Sequence, residues 1–457
     1  MKVLEHFLDV IIWDQVSIDE MQFGFMPKCG TIDAIFILRQ LQEKFLNKKK
    51  NVYFAFVDLE KAFDRVPRAV LWWAMRKLGV EEWLIRVVMS MYDNAQSKVR
   101  VSNTYSNPIN VSVGVHQGSV LSPLLFIIVM EALSREFRVG CPWELLYADD
   151  LVMISESLED LKEKLRTWKQ GLESKGLKVN VGKTKAMISR HDAPKSEIKS
   201  IKYPCGVCSK GTGSNSIFCT RCKKWVHHKC SGIKGKLKPD DNYVCGTCAN
   251  PPPVDDTPKV IEVDGDEFDI VPQFCYLGDM CGERGGCTDA VTARIRAAWK
   301  AFHHHLPILT NRGISYARRG NVFSSCVRGV LFHGSETWPM SKEDLLRLQR
   351  SDHAMIRWTC GVRLDQQHST QSLRDKLKID HIDDVLRWNR LRLFGHRQRQ
   401  DDSLWSKKII DFEVGGPNPK GRPRLRWSDV ISNDLKKKNI NKDLASNRFL
   451  WKKAIKP

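Results

Sequence analysis

Two groups of side chains have the types and spacing to do chemistry. The first is acidic. The run Tyr53-Phe54-Ala55-Phe56-Val57 ends in Asp58, and the pair Asp149-Asp150 sits between Leu145-Leu146-Tyr147-Ala148 and Leu151-Val152-Met153-Ile154. Two apolar runs around a short polar turn read as a β-hairpin. Neighbouring strand residues point to opposite faces, so a turn with two carboxylates builds a core poorly. It presents oxygen ligands to a hard cation such as magnesium well. A lone Asp-Asp turn is commonly just solvated. With a third carboxylate on a neighbouring strand, the set can hold two ions, one activating a hydroxyl and one holding a leaving phosphate.

The second group is soft. It reads Cys205-x2-Cys208-x10-Cys219-x2-Cys222-x4-His227-x2-Cys230-x14-Cys245-x2-Cys248. Seven cysteines and one histidine at these spacings supply two tetrahedral zinc sites. Of the 14 cysteines, half lie in this cluster, which favours metal over a disulfide framework.

The flanking residues identify both groups further. The order Asp58, then Gln117-Gly118 with Ser122-Pro123, then Tyr147-Ala148-Asp149-Asp150 resembles the palm of a reverse transcriptase. The wording Phe56-Val57-Asp58-Leu59-Glu60-Lys61-Ala62-Phe63-Asp64 and Gly118-Ser119-Val120-Leu121-Ser122-Pro123 resembles the non-long-terminal-repeat retrotransposon enzymes. The resemblance implies an α+β right-hand polymerase of palm, fingers and thumb. It implies two magnesium ions on Asp58 and Asp149, with Asp150 completing the set. It implies an RNA template, a DNA primer or target DNA, and deoxynucleotides as partners. Phe63 would exclude the ribose 2′-hydroxyl, Gln117 and Gly118 would contact template and nucleotide, and Tyr147 would lie at the substrate. Lys183 would protonate the leaving pyrophosphate, or be a plain surface lysine. Asp64 reads as a local structural residue. The alternative is an inactive remnant that binds nucleic acid or chromatin through the cysteine-rich segment and a basic tail.

Further segments extend the resemblance. Gln22-Phe23-Gly24-Phe25-Met26-Pro27 resembles a fingers block, and Leu177–Lys185 a later palm motif. Phe274-Cys275-Tyr276-Leu277-Gly278 resembles the primer grip, with Cys275 where the family more often has a basic residue. The earlier fingers block has no counterpart, so the fingers are expected to be truncated at the N-terminus. The cysteine-rich segment resembles a PHD finger, whose ligands interleave. That pattern implies one zinc on Cys205, Cys208, His227 and Cys230, and another on Cys219, Cys222, Cys245 and Cys248. In that family Trp225 matches a cage aromatic for methylated histone tails. Ile217-Phe218 precede Cys219, no second cage aromatic is obvious, and Tyr203 lies just outside the ligands.

A chain of 457 residues accommodates roughly two to four domains. The expected division is 1–190 for truncated fingers and palm, 203–250 for the zinc finger and 259–282 for a palm and primer-grip hairpin. Residues 283–400 are expected as a helical thumb and 401–457 as a basic tail. Expected helices cover Lys2–Ile12, Ile32–Phe45, two stretches around Gly79, Leu124–Phe137 and Ser157–Ser174. Further expected helices are Val291–Phe302, Ser341–Thr359 and Ile382–Arg397, mostly plain helical core. Hairpins are expected from Lys98–Val101 with Ile109–Val113, and from Val260–Val263 with Glu267–Val271. Polar linkers, Arg190–Lys202 and Ala249–Pro258, bracket the finger. Cys281, Cys287, Cys326 and Cys360 lack ligand spacing, and His303-His304-His305 reads as a surface run.

The net charge of +20 suits a polyanion, nucleic acid foremost. Residues 403–457 hold 14 Lys/Arg against 5 Asp/Glu. Within it, Lys420-Gly421-Arg422-Pro423-Arg424-Leu425-Arg426-Trp427 is similar to a minor-groove hook, or is a generic basic loop. Between Cys205 and Cys248 there are 8 Lys/Arg and 2 Asp/Glu. Two zincs and seven thiolates bring that +6 to +3. A phosphate backbone would be attracted and a basic histone tail repelled, so the finger is expected to grip nucleic acid or act as a folded spacer, with chromatin contact the weakest reading. No signal peptide is visible, and the longest apolar run, Leu124–Met130, is too short for a bilayer. No membrane partner and a reducing compartment, nucleus or cytoplasm, are therefore expected.

Overall fold

The computed structural model describes residues 2–191, 203, 205–208, 211–213, 215–233, 243–249, 258–363, 365–366, 368–416, 421 and 423–456. It divides into two compact units, 192–259 and the remainder.

In the larger unit the organising element is a four-stranded antiparallel sheet. Its order is Glu144–Tyr147, Asp150–Ser155, Val52–Val57, Lys185–Ser189. The central strand, Val-Tyr-Phe-Ala-Phe-Val, is β-branched and aromatic, and both its faces are covered. Ala55, Val57, Leu151 and Met153 face one core with helices Ser122–Ser134 and Leu158–Glu173. Phe54, Phe56, Val152 and Ile154 face a second core with helix Thr31–Asn47. A one-residue slip would exchange the two cores, so the register is strongly fixed. Helix Ser122–Ser134 is apolar on all sides because it is enclosed on all sides. The helix Leu158–Glu173 begins at Ser157, whose hydroxyl accepts from Asp160 N at 3.1 Å.

Three expectations change. The expected pairing of Lys98–Val101 with Ile109–Val113 is replaced by nested pairs, Gln96–Ser97 with Ile109–Asn110 and Arg100–Val101 with Thr104–Tyr105. All of these residues are exposed, so no buried face sets their register. Val260–Val263 pairs with Asp266–Asp269 rather than Glu267–Val271, across the expected Asp264-Gly265 turn, both of whose residues take positive φ. The apolar helix runs Ser122–Ser134 rather than to Phe137.

The segment expected as a thumb has its own core. Helices Thr288–His304, Lys342–Cys360 and Thr370–Leu377 surround Phe302, Phe323, Trp338 and Met355. Its buried Arg328 meets Asp352 through two hydrogen bonds of 2.8 Å. Cys281 and Cys287 are buried, and Cys326 and Cys360 half-buried. His303 is exposed at a helix end and packs on Trp299 and Trp358.

Residues 401–457 are not a free tail. Helices Trp405–Asp411, Trp427–Lys438 and Arg448–Ile455 pack into the second core of the sheet. Trp427 lies 4.8 Å from Phe36, edge to face. Gly395 receives the indole of Trp451: a Cβ there would stand 2.1 Å from its Nε1, which donates to Leu391 O at 3.0 Å. The tryptophans are what the charge count hides, since burying each removes a large apolar area from water. Arg424 donates to the carbonyls of Arg284 and His191, and Arg426 pairs with Asp429. These two arginines are therefore engaged internally rather than held out as a hook. Lys420 and Arg422 of that motif, and most of both linkers, lie outside the described residues.

In the smaller unit, Ser216–Phe218 pairs with Trp225–His227, followed by short helices His228–Ser231 and Gly246–Ala249.

Candidate active site and metal centres

The sheet register assembles the acidic group. Val57 pairs with Leu151, so Asp58, next in line, lies beside Asp150. Tyr147 pairs with Asp150, leaving Ala148 and Asp149 as a two-residue turn. On the other side, the segment after Leu177 is tied to the Asp58 backbone. Asn180 N donates to Asp58 O at 2.8 Å, and Asp58 N donates to Thr184 Oγ1 at 3.2 Å. This brings the exposed Lys183 to 3.5 Å from Asp58 Oδ2. That oxygen is buried and has no hydrogen-bond partner.

The electrostatics show three mutually repelling carboxylates. Burial first, then Asp149 and Asp58, push Asp150 up to about 6, while Lys183 opposes them. Asp149 is raised by burial and Asp58, with its own backbone N–H and Lys183 pulling the other way. A divalent cation would remove that repulsion and satisfy Asp58 Oδ2, so these residues fit a hard metal. Their oxygens do not all meet within single-ion distance, as the cysteine groups do.

The turn itself is held from an unexpected direction. Ala148 has φ 59°, a left-handed conformation that costs an L-residue about 1–2 kcal/mol. Gln22 Oε1, buried, accepts from Ala148 N at 3.0 Å and from Gly24 N at 2.9 Å. Phe23 N donates to Leu146 O and Leu146 N to Met21 O, at 2.7 and 2.8 Å. Gly24 lies so close that a Cβ would be 2.3 Å from Ala148 N. Gln22 and Gly24 therefore position Asp149. The motif was visible in the sequence; its task was not, because the partner lies 126 residues away.

Phe63 is half-buried, stacked on Phe126 at 4.4 Å and edge-on to Phe25 at 6.5 Å. Gln117, exposed, donates from Nε2 to Asp64 Oδ1 at 2.7 Å. Gly118, also exposed, has φ 80°. The loop carrying both is anchored by buried Glu5, whose Oε2 accepts from Ser119 Oγ at 3.0 Å and Val120 N at 2.8 Å. Tyr147 is half-buried against the second core. Phe274 of the hairpin Gln273–Tyr276 with Asp279–Gly282 stacks on Phe56 at 4.1 Å.

In the smaller unit, Cys205, Cys208, His227 and Cys230 form one set and Cys219, Cys222, Cys245 and Cys248 the other, each with all ligand atoms within 4.8 Å. Cys222 and Cys245 sulfurs are 3.8 Å apart and Cys219 and Cys248 4.0 Å. Tetrahedral zinc–thiolate bonds of about 2.3 Å imply sulfurs ~3.8 Å apart, so the sets fit zinc. His227 Nε2 contacts Gly211 O at 2.9 Å, which orients Nδ1 toward Cys208 Sγ at 3.3 Å. Burial would raise Cys205 and Cys219, but backbone N–H groups outweigh it and bring each to about 6. Each set thus starts with one thiol ready to ionise.

Comparison with known proteins follows this division. The family "Reverse transcriptase (RNA-dependent DNA polymerase)" matches residues 1–210, and the PHD-finger family residues 205–248. Residues 1–210 thus carry a reverse transcriptase domain similar to those of non-long-terminal-repeat retrotransposons. Among its relatives is the Pol polyprotein of the type-1 retrotransposable element R2 of Nasonia vitripennis, 30% identical over 187 residues, which are 38% of this chain and 18% of that one. The R2 polyprotein of Popillia japonica is 28% identical over 243 residues, 47% of this chain and 39% of that one. The polymerase from mobile element jockey of Drosophila funebris is 26% identical over 178 residues, 36% and 19%. The chain therefore spans well under half the length of these relatives. Apo telomerase from Candida tropicalis aligns at 19% identity and a TM-score of 0.34, over 42% of this chain and 41% of that one. Among the described residues of this reverse transcriptase relative, no helix is long and apolar enough to cross a membrane.

Proposed function

We propose that the chain is an RNA-directed DNA polymerase that extends a DNA primer with deoxynucleotides on an RNA template. The observation that carries this reading is the convergence of Asp58 and Asp149-Asp150 at the facing ends of adjacent strands, with a buried Asp58 oxygen that has no hydrogen-bond partner. Asp58 and Asp149 would hold two magnesium ions and Asp150 would complete the set. Bound there, the ions supply activation of the primer hydroxyl and stabilise the departing pyrophosphate. Two zinc ions would occupy the sets in the finger.

The protein's own groups act around that centre. Gln22 and Gly24 hold Asp149 at the turn, and Glu5 holds the Gln117-Gly118 loop under the template and nucleotide. Tyr147 lies beside the substrate. Lys183, next to Asp58, delivers a proton to the pyrophosphate oxygen as general acid. Phe63, braced by Phe126, meets the sugar and rejects a 2′-hydroxyl.

The test is primer extension on an RNA template with magnesium or manganese. Asp149→Asn is expected to lower incorporation by about 100- to 1000-fold, the range for losing a key electrostatic stabiliser. No extension by the parent, or an equally active variant, overturns the reading.

A further inference from the structure

The finger presents a surface that neither the polymerase site nor zinc binding uses. Phe218 and Trp225 face each other across the finger's two-stranded sheet, with centroids 5.3 Å apart at 64°. Both remain 43% exposed. The adjacent cross-strand pair, Ile217 with Val226, points to the opposite face, and Val226 is fully buried there. The sheet therefore has an inner face that closes the small core and an outer face that offers two large rings to solvent. Phe218 stands one residue before Cys219 and Trp225 two before His227, so zinc bound to those residues would hold the strands that carry the rings.

The charge around these rings is of one sign. The connecting turn carries Arg221, Lys223 and Lys224, all exposed, and the following helix carries exposed Lys229. Among the described finger residues there is no aspartate or glutamate. This combination decides between ligand classes. A methylammonium needs several ring faces around one cation, with favourable charge nearby. Here the rings touch edge to face, so no gap opens between them, and surrounding cations oppose a basic peptide. Unpaired bases stack on exposed aromatic faces without regard to sequence, and their phosphates seek lysine and arginine.

We infer that the Phe218–Trp225 face is a stacking surface for unpaired bases of a single-stranded nucleic acid, with Arg221, Lys223, Lys224 and Lys229 taking its phosphates. This site is separate from the aspartate centre and does not depend on polymerase activity. A duplex, whose bases stack on each other, does not engage it.

The experiment uses the full chain with zinc bound, and a uridine oligonucleotide carrying 5-iodouridine. Cross-linked peptides are mapped by mass spectrometry, so binding elsewhere on the basic chain does not obscure the result. Cross-links at Trp225 or Phe218 are expected, weakening as salt rises. The double variant F218A/W225A is expected to lower the yield at the finger by about 5- to 100-fold, the range for losing one stacked base. Two zincs retained per chain show that the variant finger is folded; if zinc is lost, the single conservative variant W225F is expected to keep zinc and most of the cross-linking, while K223E/K224E loses cross-linking with zinc intact. Cross-links confined to other segments, equal labelling by a duplex, or tight W225A-sensitive binding of a trimethyl-lysine peptide with no finger cross-link overturns the inference.

Discussion

The aspartates and the zinc ligands are positioned by opposite means. Asp58, Asp149 and Asp150 are carried on strands whose register is set by two large cores, and the turn between the last two is clamped by Gln22. The finger buries few apolar groups, chiefly Val226 and Tyr243 beside its cysteines. Its shape comes from its ligands. The first site is built without a cation; under the proposed function it would need fixed carboxylates at every turnover. The second would be made by the ion it holds, as structural zinc sites are.

This contrast can be broken most forcefully by removing zinc. Structural zinc contributes about 10–16 kcal/mol to such modules, far more than so small a core. Chelation is expected to make residues 205–248 protease-sensitive while residues 2–191 keep their hydrogen-exchange protection. Simultaneous loss in both units would mean that the palm, too, depends on the ions of the finger.

The next effect is on the palm side. Phe63→Ala is expected to raise ribonucleotide incorporation relative to deoxynucleotide by about 10-fold or more, as a few methylene-sized contacts in a pocket can discriminate. Steady-state incorporation ratios measure it; an unchanged ratio leaves Phe63 as packing for Phe126. Gln22→Leu should follow. It strands two buried N–H groups, at about 1–3 kcal/mol each if they find no water. The expected result is a lower kcat with the KM for primer–template unchanged, because the variant loosens Asp149 and touches no substrate. A fall in KM affinity alone would place Gln22 elsewhere in the cycle.

The smallest effect tests the contact between helix Thr31–Asn47 and the helix beginning at Trp427. Burial pushes Glu43 up to about 7 from its ordinary 4.5, although it accepts a hydrogen bond from Trp427 N and lies near Lys44. Between those values the folded state holds a proton that the unfolded chain has released. Stability therefore falls as pH rises from about 4.5 to 7. Glu43→Gln should flatten that decline, by roughly 2 °C in melting temperature. An unchanged slope would show that other groups govern it.

The palm motifs and the zinc ligands were legible because each is written in a few neighbouring residues. Asp149-Asp150 announces a turn, and Cys-x2-Cys pairs announce ligands, without reference to the rest of the chain. What supports them was not legible. Gln22 acts on Ala148, Glu5 on Val120 and Glu43 on Trp427, at separations of 126, 115 and 384 residues. No periodicity encodes such pairs. The count of basic residues in 401–457 also misled, because charge tallies ignore the buried tryptophans that decide where a segment packs. The exposed hairpins near residue 100 failed for the converse reason: without a buried face, alternation carries no register.

Helix Thr31–Asn47 has one further consequence, for biosynthesis. Its buried Asp33 pairs with Arg397, 364 residues later, and its Phe36 waits for Trp427. At roughly 5–20 residues per second, a ribosome takes about 20–70 s to supply that arginine. During that interval the helix has emerged with a carboxylate and an aromatic face that nothing yet covers. The aspartate-bearing sheet therefore completes its second core only after residues 427–455 have been made.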